Sequence, residues 1–238
     1  MYRKFTLIFT VALIIFVLGL CGCSDGGVKL EYQAKVGEVL KYKTSVSQSM
    51  DNASMGAMSM SISTNAEQKT TKVSDKEIEY EVKFISGSME INGKKQNLPK
   101  MPTQKIVMGK SGQVISCGDG GLKNGASVLP ENKVKVGDTW KSSDVIDLDK
   151  NTKLNVEYNC KLVELTKENG RDIAVIESSV VGESENDGAK MKCEGKGKTK
   201  FDYKSGVLVH GDVSQKITMS KNGMSLSFNQ SMSNDLVQ

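Results

Sequence analysis

Past the first thirty residues, apolar and polar side chains alternate one by one along much of the chain. Ile78, Tyr80, Val82 and Phe84 are interleaved with Glu79, Glu81 and Lys83. Leu154, Val156, Tyr158, Cys160 and Leu162 are interleaved with Asn155, Glu157, Asn159 and Lys161, and Met224, Leu226 and Phe228 with Ser225, Ser227 and Asn229. A period of two predicts strands with one face on a core and the other in water. Asn92-Gly93, Asn169-Gly170 and Asn222-Gly223 predict two-residue hairpins, because a type I′ turn takes positive φ at both central positions. Lys110-Ser111-Gly112 and Lys204-Ser205-Gly206 predict longer turns with glycine in the left-handed place. Residues 94–104, with Pro99 and Pro102, break the alternation and read as a loop. No segment beyond the leader has helical periodicity. Strands joined by tight turns run antiparallel. The expected fold is all-β, closing as a barrel, curling as a half-barrel or stacking as a sandwich.

Four landmarks recur in order, 94 to 100 residues apart. Lys35-Val36-Gly37-Glu38 returns as Lys135-Val136-Gly137-Asp138, and Lys41 as Lys141. The turn at 72–78 matches in character the turn at 165–173. The strand after each ends near a glycine, Gly87 or Gly182, and Lys110-Ser111-Gly112 returns as Lys204-Ser205-Gly206. A repeat of this size is a whole supersecondary unit. The expected organisation is therefore two similar antiparallel halves, 30–126 and 127–238, linked through 118–130.

The N-terminus is of another kind. Arg3 and Lys4 precede an apolar run that begins at Phe5 and is too short to span a bilayer comfortably. The run leads to Leu20-Cys21-Gly22-Cys23, which resembles the lipobox of bacterial lipoproteins. Cys23 fits the motif, with aliphatic Leu20 three before it and small Gly22 just before it; Cys21 fits less well. The resemblance implies a signal peptide over 1–22, cleavage after Gly22 and acylation of the Cys23 thiol. It also implies a partner, the membrane, and a place in the cell envelope. That place is the outer face of the cytoplasmic membrane or the outer membrane, since Ser24 carries no inner-membrane retention signal. Residues 23–29 then form the lipidated cysteine and a short tether. Buried acyl chains contribute about 0.8 kcal/mol per CH₂, so two or three of them hold durably. A second resemblance covers a dozen residues. Leu129-Pro130 through Val136-Gly137-Asp138-Thr139-Trp140 is similar to the Val-Gly-Asp-x-Trp element of a group of secreted bacterial proteins and lipoproteins. Its implication is structural: a Gly-Asp turn, then a tryptophan that plugs the core.

Composition narrows the function classes. Residues 1–22 hold Arg3 and Lys4, so without them the formal charge falls from +4 to +2. With no basic stripe interleaved with aromatics, nucleic-acid binding has no support. Cys117, Cys160 and Cys193 remain besides the anchor. An envelope location permits disulfides, three is odd, and Cys160 with Cys193 is the expected pair. His210 is the one histidine, within an apparent strand, and reads as structural. No phosphate, dinucleotide, zinc-hydrolase or nucleophile-elbow fingerprint occurs, and no cofactor is expected. The charges at Glu77, Glu79 and Glu81 read as solvated, and the set Asp144, Asp147 and Asp149 lacks the spacing of a calcium loop.

Two function classes survive. The first is a non-enzymatic, lipid-anchored envelope protein that binds an apolar ligand or protein partner against a methionine- and aliphatic-lined surface, or acts as a structural module. The second is a copper-handling lipoprotein, because Met50, Met55, Met58 and Met60 lie within eleven residues and thioether clusters bind Cu(I).

Overall fold

The computed structural model describes residues 26–52, 56–118, 129–147, 153–186, 188–221 and 224–237. The expected signal peptide, Cys23, Met55 and the expected Asn222-Gly223 turn therefore lie outside the described residues. The strands of the first half are Val39–Asn52 (β1), Gly56–Val73 (β2), Glu77–Ile91 (β3), Lys94–Asn97 (β4), Gln104–Gly109 (β5) and Val114–Cys117 (β6). Those of the second are Thr139–Asp147 (β7), Lys153–Glu168 (β8), Arg171–Asn186 (β9), Ala189–Asp202 (β10), Val207–Lys221 (β11) and Met224–Val237 (β12). They join in one open antiparallel sheet, ordered β6-β5-β3-β2-β1-β12-β11-β10-β9-β8-β7, with β4 on β3. The fold is all-β and the sheet does not close. The two halves meet edge to edge where β1 pairs with β12, from Lys41 opposite Val237 to Met50 opposite Phe228.

The landmarks of the two halves make the same local structures. Gly37 has φ 86° and donates its N–H to the Thr70 carbonyl at 2.9 Å; Gly137 has φ 99° and donates to Leu162 at 2.8 Å. The return bonds run from Thr70 N–H to Glu38 and from Leu162 N–H to Asp138. The carboxylates of Glu38 and Asp138 each accept the backbone N–H three residues back, Lys35 and Lys135. A bulge follows each acceptor residue within its strand, between Thr70 and Lys72 and between Leu162 and Glu164. Asn92-Gly93 and Asn169-Gly170 both have positive φ at both positions, the I′ signature. The first hairpin continues for four residues as β4 before the chain leaves the sheet, so the irregular stretch is shorter than 94–104.

The main core lies at one end of the second half. Leu162, Ala174, Ile176, Phe201 and Cys160 pack there against Leu30, Leu129 and Val134. The last three come from two straps laid across the sheet end. Val28 and Val134 exchange backbone hydrogen bonds, at 2.8 and 2.9 Å, as an isolated antiparallel bridge. Tyr32 N–H reaches the Lys110 carbonyl, Gln33 N–H reaches Gly206 and Leu129 N–H reaches Ser111, so the straps cross both Lys-Ser-Gly turns. Tyr32 meets Phe201 edge to face, centroids 5.1 Å apart, and burial pushes its phenol up to about 12. Trp140 packs against this cluster from the edge strand β7, partly buried.

The expected Cys160–Cys193 disulfide is corrected. Both cysteines are buried and neither forms a disulfide, nor does Cys117. Cys160 on β8 lies opposite Ser178 of β9, and Cys193 on β10 lies opposite Gly182 of that same strand. A whole strand separates them, roughly 9–10 Å across the sheet, and they are offset by four residues along it. A disulfide needs Cα atoms within about 7 Å. Burial, with Glu194 adding to it, pushes the Cys193 thiol pKa up.

Candidate functional site

Cross-strand partners share a face, so the registers sort side chains into two sets. One face carries the row Met60, Gln48, Gln230, Gln215, Gly195 and Val180. Next to it on the same face run Met58, Met50, Phe228, Ile217 and Cys193, and on the other side Ile62, Val46, Met232 and Val213. This face is apolar, with an amide row across its middle. Gln215 Nε2 donates to Gln230 Oε1, and Cys193 Sγ lies 3.5 Å from Gln215 Oε1. Three of its methionines are half open: Met58, Met219 and Met232 are 48 %, 38 % and 45 % exposed.

The neighbours of Gly195 crowd over this face. A Cβ there would sit 2.8 Å from Gln215 Cβ and from the Ser214 carbonyl, and 2.9 Å from Val180 Cγ1. Ordinary opposed Cβ atoms are about 4.5–5.5 Å apart. Gly197 is equally tight against Asp212 and Ser178. The strands beside β10 fold toward one another here, and glycine is what the approach allows.

The opposite face is serine-rich and charged. A groove of about 900 Å³ crosses it. One wall is the row Ser61, Ser47, Ser231, Ser214, Lys196 and Ser179, extended by Glu90. The other wall is Ser59, Ser49, Asn229, Lys216, Glu194 and Val181. The remaining lining residues are the glutamine row between them, whose side chains point the other way and whose backbone forms the floor.

The methionine candidates divide. Met50 is buried and directly opposite Met58, with Met60 one diagonal step away. Three of the four named residues thus share one patch. His210 sits on the charged face, Nδ1 2.6 Å from Asp235 and Nε2 3.3 Å from Asp212. Lys43 stands opposite Asp235, and Lys200 opposite His210. Both imidazole nitrogens are engaged by carboxylates, and neither is presented to a groove. Glu79 is held low by hydrogen bonds from Lys105 and Thr71, and its side chain is only 22 % exposed, less than its alternation implies. Among the described residues no three histidine, cysteine or acidic side chains converge on a metal position.

Sequence reasoning missed Asp202, a carboxylate almost wholly buried at the mouth of the Lys204-Ser205-Gly206 turn. Its Oδ1 accepts the backbone N–H groups of Lys204 and Ser205, and Arg171 lies 3.3 Å from its Oδ2. Burial alone would raise this carboxyl. The bonds from Ser205, Lys204 and Arg171 outweigh it and hold the carboxyl below its usual value. An aspartate three residues before Ser-Gly, at the end of a strand, was the available signal. The groove was missed because serines at alternate positions look like any solvated face until the register aligns them. No protein-family model matches the chain, and no curated protein is significantly similar to it.

Proposed function

We propose that the chain is a non-enzymatic, lipid-anchored protein of the bacterial cell envelope whose sheet binds an apolar ligand on its methionine-bearing face. The observation that carries this is the exposure of Met58, Met219 and Met232 on one face of an open sheet, beside Phe228, Ile217 and Val46. Each large apolar side chain left in water forgoes about 1.5–3 kcal/mol of burial. Several such side chains exposed on one face mark an interaction surface. Methionine suits a ligand of irregular shape, because its unbranched thioether repacks readily. Attachment rests on Cys23.

The test is extraction of the full chain from native membranes in mild detergent, followed by mass spectrometry. An apolar molecule near one per chain, lost in Met232→Glu with unchanged circular dichroism, supports the reading. A chain free of bound lipid rejects it; recovery of a stoichiometric protein instead moves the occupant to a partner. Cys23→Ser should release the chain from the membrane fraction, and palmitate labelling should disappear with it.

The facing pair Met50 and Met58, with Met60 beside them, favours one second reading, Cu(I) handling. Cu(I) titration against a competing chelator decides it. Tight one-to-one binding that falls at least tenfold in Met50→Leu/Met58→Leu supports it, and weak binding indifferent to that change removes it.

A further inference from the structure

The groove on the serine face is not explained by an apolar ligand on the other. Its two walls are complete rows of side chains running across the strands from β2 to β9. Neighbouring strands are about 4.8 Å apart, so the groove runs for about 24 Å with a side chain on each wall at every strand step; the walls are roughly 7 Å apart. Along most of this length those side chains are hydroxyls or amides, seven serines and one asparagine. The charges cancel: Lys196 and Lys216 against Glu90 and Glu194, with Glu194 directly opposite Lys216. Val181 is the one apolar side chain in the walls.

This chemistry selects among occupants. A nucleic acid or anionic polymer needs uncompensated cations. A hydrocarbon chain would desolvate hydroxyls without satisfying them. An extended peptide docks on a sheet by pairing with an edge strand, whereas this floor is interior backbone already bonded into the ladder. What remains is an uncharged, linear molecule with donors and acceptors on both sides at a regular rise.

We propose that the groove binds a neutral, extended glycan lying across the strands, with successive sugar rings matched to successive strands. Serine hydroxyls both donate and accept, as sugar hydroxyls do, so a ring finds a partner on each wall at every strand but β9, where one wall is Val181. With no aromatic platform, each contact is weak and affinity accumulates with length.

The test is calorimetry on the detergent-solubilised full chain with β-1,4-linked N-acetylglucosamine oligomers of two, four and six rings. The expected result is an affinity that rises at least tenfold from two rings to six. It should fall about fivefold or more in Ser47→Ala/Ser231→Ala, and stay unchanged in Ser45→Ala/Ser233→Ala one row outside the groove. Absence of binding by the six-ring oligomer, affinity independent of length, or equal loss in both double variants would overturn the proposal. So would tighter binding of the deacetylated, cationic oligomer, since the site would then be reading charge. These outcomes leave the apolar face untouched, because the groove and the methionines lie on opposite sides of the sheet.

Discussion

Glycine 195 shows how a single hydrogen in place of a methyl sets local shape. Its missing Cβ would collide with Gln215 Cβ and with a backbone oxygen, neither of which can swing aside. Gly195→Ala should therefore cost about 1–3 kcal/mol, as overpacking does, read as a lower urea midpoint at unchanged m-value. Gly109, where the nearest atoms are 3.7 Å away, should accept alanine within about 0.5 kcal/mol. Asp202 gives a prediction of another kind. Its carboxyl titrates lower in the folded chain than in the unfolded one, so its contribution is present above about pH 4, the unfolded value. It is lost as the pH falls through the lower folded value. Asp202→Asn should thus be less stable than the parent at pH 7, by about 1–3 kcal/mol. The gap should narrow as the pH drops below about 4, measured by urea unfolding at pH 7 and pH 3.

At the scale of elements, local signals and long-range pairing separate cleanly. The strands and the Asn-Gly turns were legible because alternation and positive φ are properties of a few adjacent residues. The Val-Gly turns at 37 and 137 were legible as a repeat, and both close on a carbonyl one strand away. The pairing of β1 with β12 was not legible. No turn joins them, and only the whole sheet determines which free edges meet. The disulfide expectation failed for the same reason. Cys160 and Cys193 share a half of the sequence, but β9 stands between their strands. Thermal unfolding should accordingly be the same with and without reductant. The straps carry more weight than their length implies. Leu30, 1 % exposed, fills the sheet end, and Leu30→Ala should cost about 2–5 kcal/mol by leaving a cavity there. A lowered melting temperature with unchanged far-ultraviolet dichroism checks it.

Taken whole, the molecule is a single sheet with two faces of different chemistry. The sequence showed each face in outline, since period-two alternation assigns apolar and polar residues to opposite sides. It could not show that seven serines from different strands fall into two facing lines, because that is fixed by register across a seam between residues far apart in the chain. The larger packed cluster lies at one end, under Leu30, Leu129 and Val134, and a smaller one of Leu154, Val156, Val180 and Cys193 lies further along the strands. Among the described residues of the outer strand ends, Met58 and Met219 stay 48 % and 38 % exposed. Hydrogen exchange should reflect this, with the slowest amides at Leu162, Ile176 and Phe201 and faster exchange at Met58 and Met219. Uniform protection over both ends would contradict it.

The bridge between Val28 and Val134 has a mechanical consequence. Five peptide units separate Val28 from the proposed acylated thiol, a leash of at most about 17 Å. Its first fixed point is not the nearest strand but the segment just ahead of the second half. Any pull from the bilayer would thus be shared between the two halves instead of peeling β1 away. The plugged end would stay low against the headgroups, and the serine rows would stand about 20 Å higher along the strands, a height set by the short leash to Val28.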